Sequence, residues 1–196
     1  MSQVAGATGL SRYSTVAIWL HWIITILVVG NLVGGLTLDD LFPGKDPATL
    51  QTKFFVIQLH KSIGLTVLLL SVIRIGWRVA NPAPPLPTHM TRIEMIIAKA
   101  TQHGFYLLLL LLPLSGWAMA STGKRIFPIL YFGTFEVPHL PLASSLGDFF
   151  AESHETLAWI AIAMIALHVL GALKHQYFDR DDVLARMLPY LRKDKA

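Results

Sequence analysis

Cysteine is absent from all 196 residues. That excludes disulfides, thiolate metal sites and a cysteine nucleophile, and leaves the redox compartment unmarked. Charge is scarce too. Asp, Glu, Lys and Arg make up 14% of the chain, where a soluble domain carries about a quarter. The net charge of +4 is modest, and no stretch of the chain points to a nucleic-acid partner. No internal repeat or low-complexity tract is present. The first apolar run has no small-residue cleavage site and flows into the body of the chain, so no signal peptide is expected.

What is abundant is apolar side chain, at 54% of residues. Four segments are long enough to cross a bilayer, which takes about 20 helical residues. They run approximately over 15–38, 54–79, 100–121 and 153–177. The expected fold is an all-α, integral membrane four-helix bundle forming a single membrane domain over 1–196, in contact with membrane lipid, because such helices bury their polar groups only against one another. Pro-rich or polar links join the first three. A long loop over 122–152 mixes aromatics with Pro and Gly and reads as a lid at the membrane surface. The tail over 178–196, "DRDDVLARMLPYLRKDKA", reads as a short amphipathic surface helix.

Lys and Arg counts near the helix ends set orientation. Arg12, Arg78, Arg92, Lys99, Arg180, Arg186, Arg192, Lys193 and Lys195 share one side; Lys45, Lys53, Lys61, Lys124 and Arg125 share the other. Nine against five places both termini in the cytoplasm.

Two of the eight histidines, His89 and His139, fall in loops and are expected to be solvated. Four others occupy spans at depths that can be compared. His154 and His168 are fourteen residues apart, which at about 100° per residue is roughly 40° short of four turns, so both leave one face. A rise of 1.5 Å per residue separates them by about 21 Å. Depth matching pairs His21 with His168 on the cytoplasmic side and His60 with His154 on the outer side. Facing imidazoles in a bundle core are the arrangement that holds a haem iron from both sides. Zinc would want three or four ligands at each site, and no nearby carboxylate or cysteine completes a set. The competing readings are satisfied core histidines and a proton relay. The pairing favours two haems b, with covalent attachment excluded by the missing cysteines. Arg74 lies fourteen residues after His60, at the inner level, where a haem propionate would satisfy its charge; snorkelling to the interface is the alternative.

The motifs "STVAIWLHWIITILVV", "LHKSIGLTVLLLSVIRIGWR", "FYLLLLLLPLSGW" and "SHETLAWIAIAMIALHVLGALKHQYF" resemble the bacterial cytochrome b561 family over about residues 10–190. The resemblance implies two bis-histidine haems b, with iron ligands matching His21, His60, His154 and His168. It further implies an inner-membrane electron carrier, most directly one oxidising periplasmic superoxide and reducing ubiquinone. The alternative it allows is a cytochrome b subunit serving a periplasmic dehydrogenase or hydrogenase, with a redox protein as donor. In that frame Lys53, Lys61, Lys124 and Arg125 are candidates for a funnel drawing in a small anion. His103, Lys174 and His175 are candidates for the quinone site. His103 stands three residues before Tyr106, one short of the spacing expected of the family, and takes no ligand role.

Overall fold

The computed structural model describes residues 12–123, 126–188 and 190. Each apolar run became a helix, and α2 and α3 extend back past their runs to a polar residue that caps them. α1 (Thr15–Leu41) starts at Ser14, whose hydroxyl accepts from the Ala17 amide. α2 (Pro47–Ala80) starts at Asp46, with Pro47 supplying a first turn that needs no amide hydrogen. α3 (Arg92–Ser121) opens with a reciprocal Thr91–Glu94 capping box and continues through Pro113. α4 (Gly147–Lys174) grows from a short 3₁₀ turn, Ser144–Leu146. Side-chain caps thus start α2 and α3, and a 3₁₀ turn starts α4, six to eight residues before their hydrophobic stretches. All four are long and apolar enough to span a membrane.

The helices pack in chain order, α1 on α2, α2 on α3 and α3 on α4. The buried apolar core is thin: Ile24, Val67, Leu108, Ala118 and Ala161 carry most of it within the helices. Large apolar side chains such as Ile26, Leu69, Ile73, Leu107 and Leu170 face outward, while Ser62, Ser71, Ser115 and Ser121 lie inside. That inverted distribution suits a chain surrounded by lipid.

The link before α4 holds an antiparallel hairpin, β1 (Ile129–Tyr131) and β2 (Phe135–Val137), with Tyr131 opposite Phe135. The hairpin lies along α2. Polar groups spaced four apart on α2 hold it there. Gln58 donates to the Pro128 carbonyl at 2.7 Å and accepts from the Leu130 amide at 3.0 Å. Ser62 Oγ accepts from the Phe132 amide at 2.9 Å, and Thr66 Oγ1 meets the Tyr131 hydroxyl at 2.9 Å. This anchors Phe132 in a left-handed conformation, φ 46°, which a non-glycine residue seldom adopts.

The tail differs from its expected helix. Over the described residues it is a π-helical turn, His175–Asp179, followed by a 3₁₀ turn, Leu184–Arg186. Residues 191–196 lie outside the described part. Side chains hold the tail beneath the bundle instead: Arg186 donates to the Pro85 carbonyl at 2.6 Å, and Trp22 Nε1 donates to the Met187 carbonyl at 3.0 Å.

Candidate functional site

The helices bring together the histidines that depth alone paired. His21 of α1 and His168 of α4 have ring centres 6.2 Å apart, and His60 of α2 and His154 of α4 also stand at 6.2 Å. The rings in each pair are steeply inclined, at 73° and 85°. α4 packs its length on α3 and stands off from α1 and α2, so histidine side chains bridge that gap.

The outer pair is closely fitted. His154 Nδ1 lies 3.1 Å from the Leu112 carbonyl oxygen and 3.1 Å from Ser115 Oγ. A carbonyl only accepts, so Nδ1 carries the hydrogen and Nε2 keeps its lone pair. Two glycines make room for the rings. A Cβ on Gly35 would sit 2.9 Å from His60 Cε1, and one on Gly116 would sit 2.8 Å from His154 Cε1. Gly30 and Gly34, which share the α1 segment, have nothing within 4 Å of such an atom. His60 Nδ1 is buried and has no hydrogen-bond partner among the described residues.

Arg74 stands beside the inner pair, close to both His21 and His168, with Tyr106 next to it. It forms no ion pair among the described residues. Tyr106 also lines a cleft of about 450 Å³ with Arg78, Lys99, Gln102 and His103, where His103 donates to the Lys99 carbonyl at 2.7 Å. Lys174 and His175 do not line it. Lys174 pairs with Glu94 at 2.8 Å and Asp179 at 2.7 Å, and His175 pairs with Asp181 at 2.8 Å.

At the outer end Lys53 is ion-paired with Asp39, Lys61 is half-buried beside His60, and Lys124 and Arg125 lie outside the described residues. His89 is exposed in its loop, as expected, whereas His139 is half-buried. His89 bonds Asp181 at 3.1 Å, and His139 Nδ1 is buried without a partner among the described residues. Asp181 comes to His89 from a distant segment, which the local sequence does not reveal.

Residues 12–190 match the family described as prokaryotic cytochrome b561. The chain belongs to that family. Among its relatives, cytochrome b561 homolog 2 of Escherichia coli K12 is 37% identical over 186 residues, covering 90% of this chain and 91% of that protein. Cytochrome b562 of Cereibacter sphaeroides is 31% identical, over 90% of this chain and 94% of that protein. The probable superoxide oxidase CybB of Yersinia pestis is 29% identical, over 92% of this chain and 98% of that protein. As a b561 cytochrome, this is a bacterial membrane protein of transmembrane electron transfer, and haem b is the cofactor its family implies.

The histidine pairs of this cytochrome fit that cofactor. The 6.2 Å between ring centres leaves room for two metal–imidazole bonds of about 2.0 Å. The His154 tautomer, the glycine clearances and the Arg74 guanidinium, which has no ion-pair partner among the described residues, suit it equally.

Proposed function

We propose that this cytochrome b561 moves single electrons from periplasmic superoxide to ubiquinone through two haems b of the inner membrane, with both termini in the cytoplasm. The observation that carries this reading is the stack of two histidine pairs, each with the same 6.2 Å ring separation. His60 and His154 are the iron ligands near the outer surface, and His21 and His168 those near the inner. Haem iron in such sites supplies one-electron redox chemistry without bond making at a substrate.

The protein's own groups define the rest. The Leu112 carbonyl and Ser115 keep His154 Nδ1 protonated and its Nε2 free to bind a metal. Gly35 and Gly116 let α1 and α3 close on the rings. Arg74 holds a carboxylate of the inner cofactor, since an intramembrane guanidinium requires an anion. The cleft between α2 and α3 takes the quinone head, with His103 and Tyr106 as hydrogen-bonding groups and Arg78 and Lys99 also in its lining. Lys174 and His175 are engaged in ion pairs and serve the quinone less directly. Lys61, Lys124 and Arg125 attract the anionic donor, while the Asp39 partner of Lys53 lowers its share in that attraction.

Two measurements test the proposal. The pyridine haemochrome of the purified chain should give two haems b per polypeptide; one or none overturns the ligand assignment. A pulse of superoxide should then reduce the haems at a near-diffusional rate, with turnover on added ubiquinone. Two haems that stay oxidised under the pulse would instead favour a carrier docking a redox protein.

A further inference from the structure

Away from the histidine pairs, the end of α4 and the α2–α3 loop create a second convergence of donors. His89, His175, Asp179 and Asp181 each offer one ligand atom, and these four atoms all lie within 4.8 Å of one another. We propose that this cluster binds a divalent transition metal, with zinc the best fit.

The chemistry of the donors is the first argument. Two imidazole nitrogens and two carboxylate oxygens form a nitrogen–oxygen set of the size zinc takes in tetrahedral sites. Spacing is the second. Asp181 Oδ2 stands 2.8 Å from His175 Nδ1 and 3.1 Å from His89 Nε2, and Asp179 Oδ2 stands 3.1 Å from His175 Nδ1. Bonds of about 2.0–2.1 Å place tetrahedral ligand atoms roughly 3.3 Å apart, so small rotations complete the set. Hydrogen supply is the third. Nδ1 of His175 has at most one hydrogen but faces two carboxylates, and Asp181 Oδ2 is approached by both imidazoles. A central cation would satisfy all four atoms at once.

The backbone is shaped to this convergence. The last turn of α4 widens into the π-helical turn His175–Asp179, and Arg180 at φ 53° turns the chain back. Asp181 thereby returns to His175, its amide donating to the His175 carbonyl at 3.2 Å. Lys174 now holds both oxygens of Asp179, at 2.7 and 3.0 Å, and also Glu94 at 2.8 Å. Glu94 therefore retains the ammonium when a metal takes Asp179. The bound ion would fasten the α2–α3 loop to the end of α4, across the same seam that Arg186 closes on Pro85.

The test is zinc uptake by the full-length, haem-loaded chain after chelator dialysis, read by equilibrium dialysis with elemental analysis and by zinc X-ray absorption. One zinc per chain is expected at micromolar concentration, in a four-coordinate nitrogen–oxygen shell with two imidazoles. Asp181→Asn and His89→Gln should each weaken uptake about ten-fold or more. The haem-to-protein ratio reports that each variant is folded. Should Asp181→Asn lose haem, His89→Gln, altered only in a loop, decides. No zinc on the parent chain, or uptake unchanged by these substitutions, overturns the site. Neither readout depends on electron transfer, so the result is separable from the function proposed above.

Discussion

His154 of α4 donates from Nδ1 to the Leu112 carbonyl of α3, at 3.1 Å. One hydrogen bond thus ties two helices, chooses an imidazole tautomer and leaves Nε2 with its lone pair. Ser115 strengthens the link by donating to the same carbonyl at 2.8 Å. Removing a group that orients a metal-binding histidine typically costs 10–100-fold in metal affinity, roughly. Ser115→Ala should keep its helical content and release the outer haem to a competing apo-haem protein about ten-fold faster.

The pairing predicts a pattern of non-additivity. His60→Ala and His154→Ala should each remove the same haem, and the double variant should lose no more than either single one. His60→Ala combined with His21→Ala should lose both. Haem per chain, from the pyridine haemochrome, reads the result directly.

Glycine clearances make a finer prediction. Gly35→Ala and Gly116→Ala place a methyl 2.9 and 2.8 Å from the ring carbons of His60 and His154, below van der Waals contact, so the ring or helix must move. Outer-haem occupancy should fall in both. Gly34→Ala meets nothing within 4 Å and should bind haem as the parent does. Equal occupancy in all three would show that the glycines serve only helix packing.

Ser62 is fully buried and holds three backbone groups, donating to the Gln58 carbonyl at 2.7 Å and accepting from Phe132 at 2.9 Å, with the Leu130 carbonyl at 3.2 Å. Ser62→Ala strands the Phe132 amide, a loss of about 1–3 kcal/mol. Limited proteolysis should then cut within 126–137 earlier than in the parent, at an unchanged haem spectrum for the inner pair.

Asp46, at the start of α2, has its carboxyl held below the ordinary value of 3.8 by hydrogen bonds from the Thr49 hydroxyl and amide. A lowered carboxylate pKa stabilises the folded cap above 3.8 and loses that support as pH falls through the lowered value. Hydrogen exchange at the first turn of α2 should therefore rise below pH 4, and Asp46→Asn should flatten that dependence. An unchanged profile in the variant would assign the acid lability elsewhere.

The four spans and the relative depths of their histidines were legible in residue order, because hydrophobic length and the 3.6-residue turn are local properties. From them came four spans, the fourteen-residue interval on α4, and the match of His21 to His168 and His60 to His154. Polar residues in α2 were a further signal that could have been read: Gln58, Ser62 and Thr66 recur every four positions, a stripe that lipid would not satisfy. Their partner, the hairpin of 129–137, lies some seventy residues away, and no local pattern names it.

Long-range approach settled the remainder. Gly35 and Gly116 differ from Gly30 and Gly34 only in what another helix brings near them. Lys53 read as a candidate for the anion funnel until Asp39 came beside it, and exposed His89 gained a partner only when the tail returned Asp181 to it. Over its described residues the tail is not an amphipathic helix, because Trp22 binds its backbone and its own Arg186 binds the neighbouring loop. Helix and depth follow from each segment's own chemistry. Partners follow from folding, since a hydrogen bond or ion pair exists only once two distant segments are held at contact.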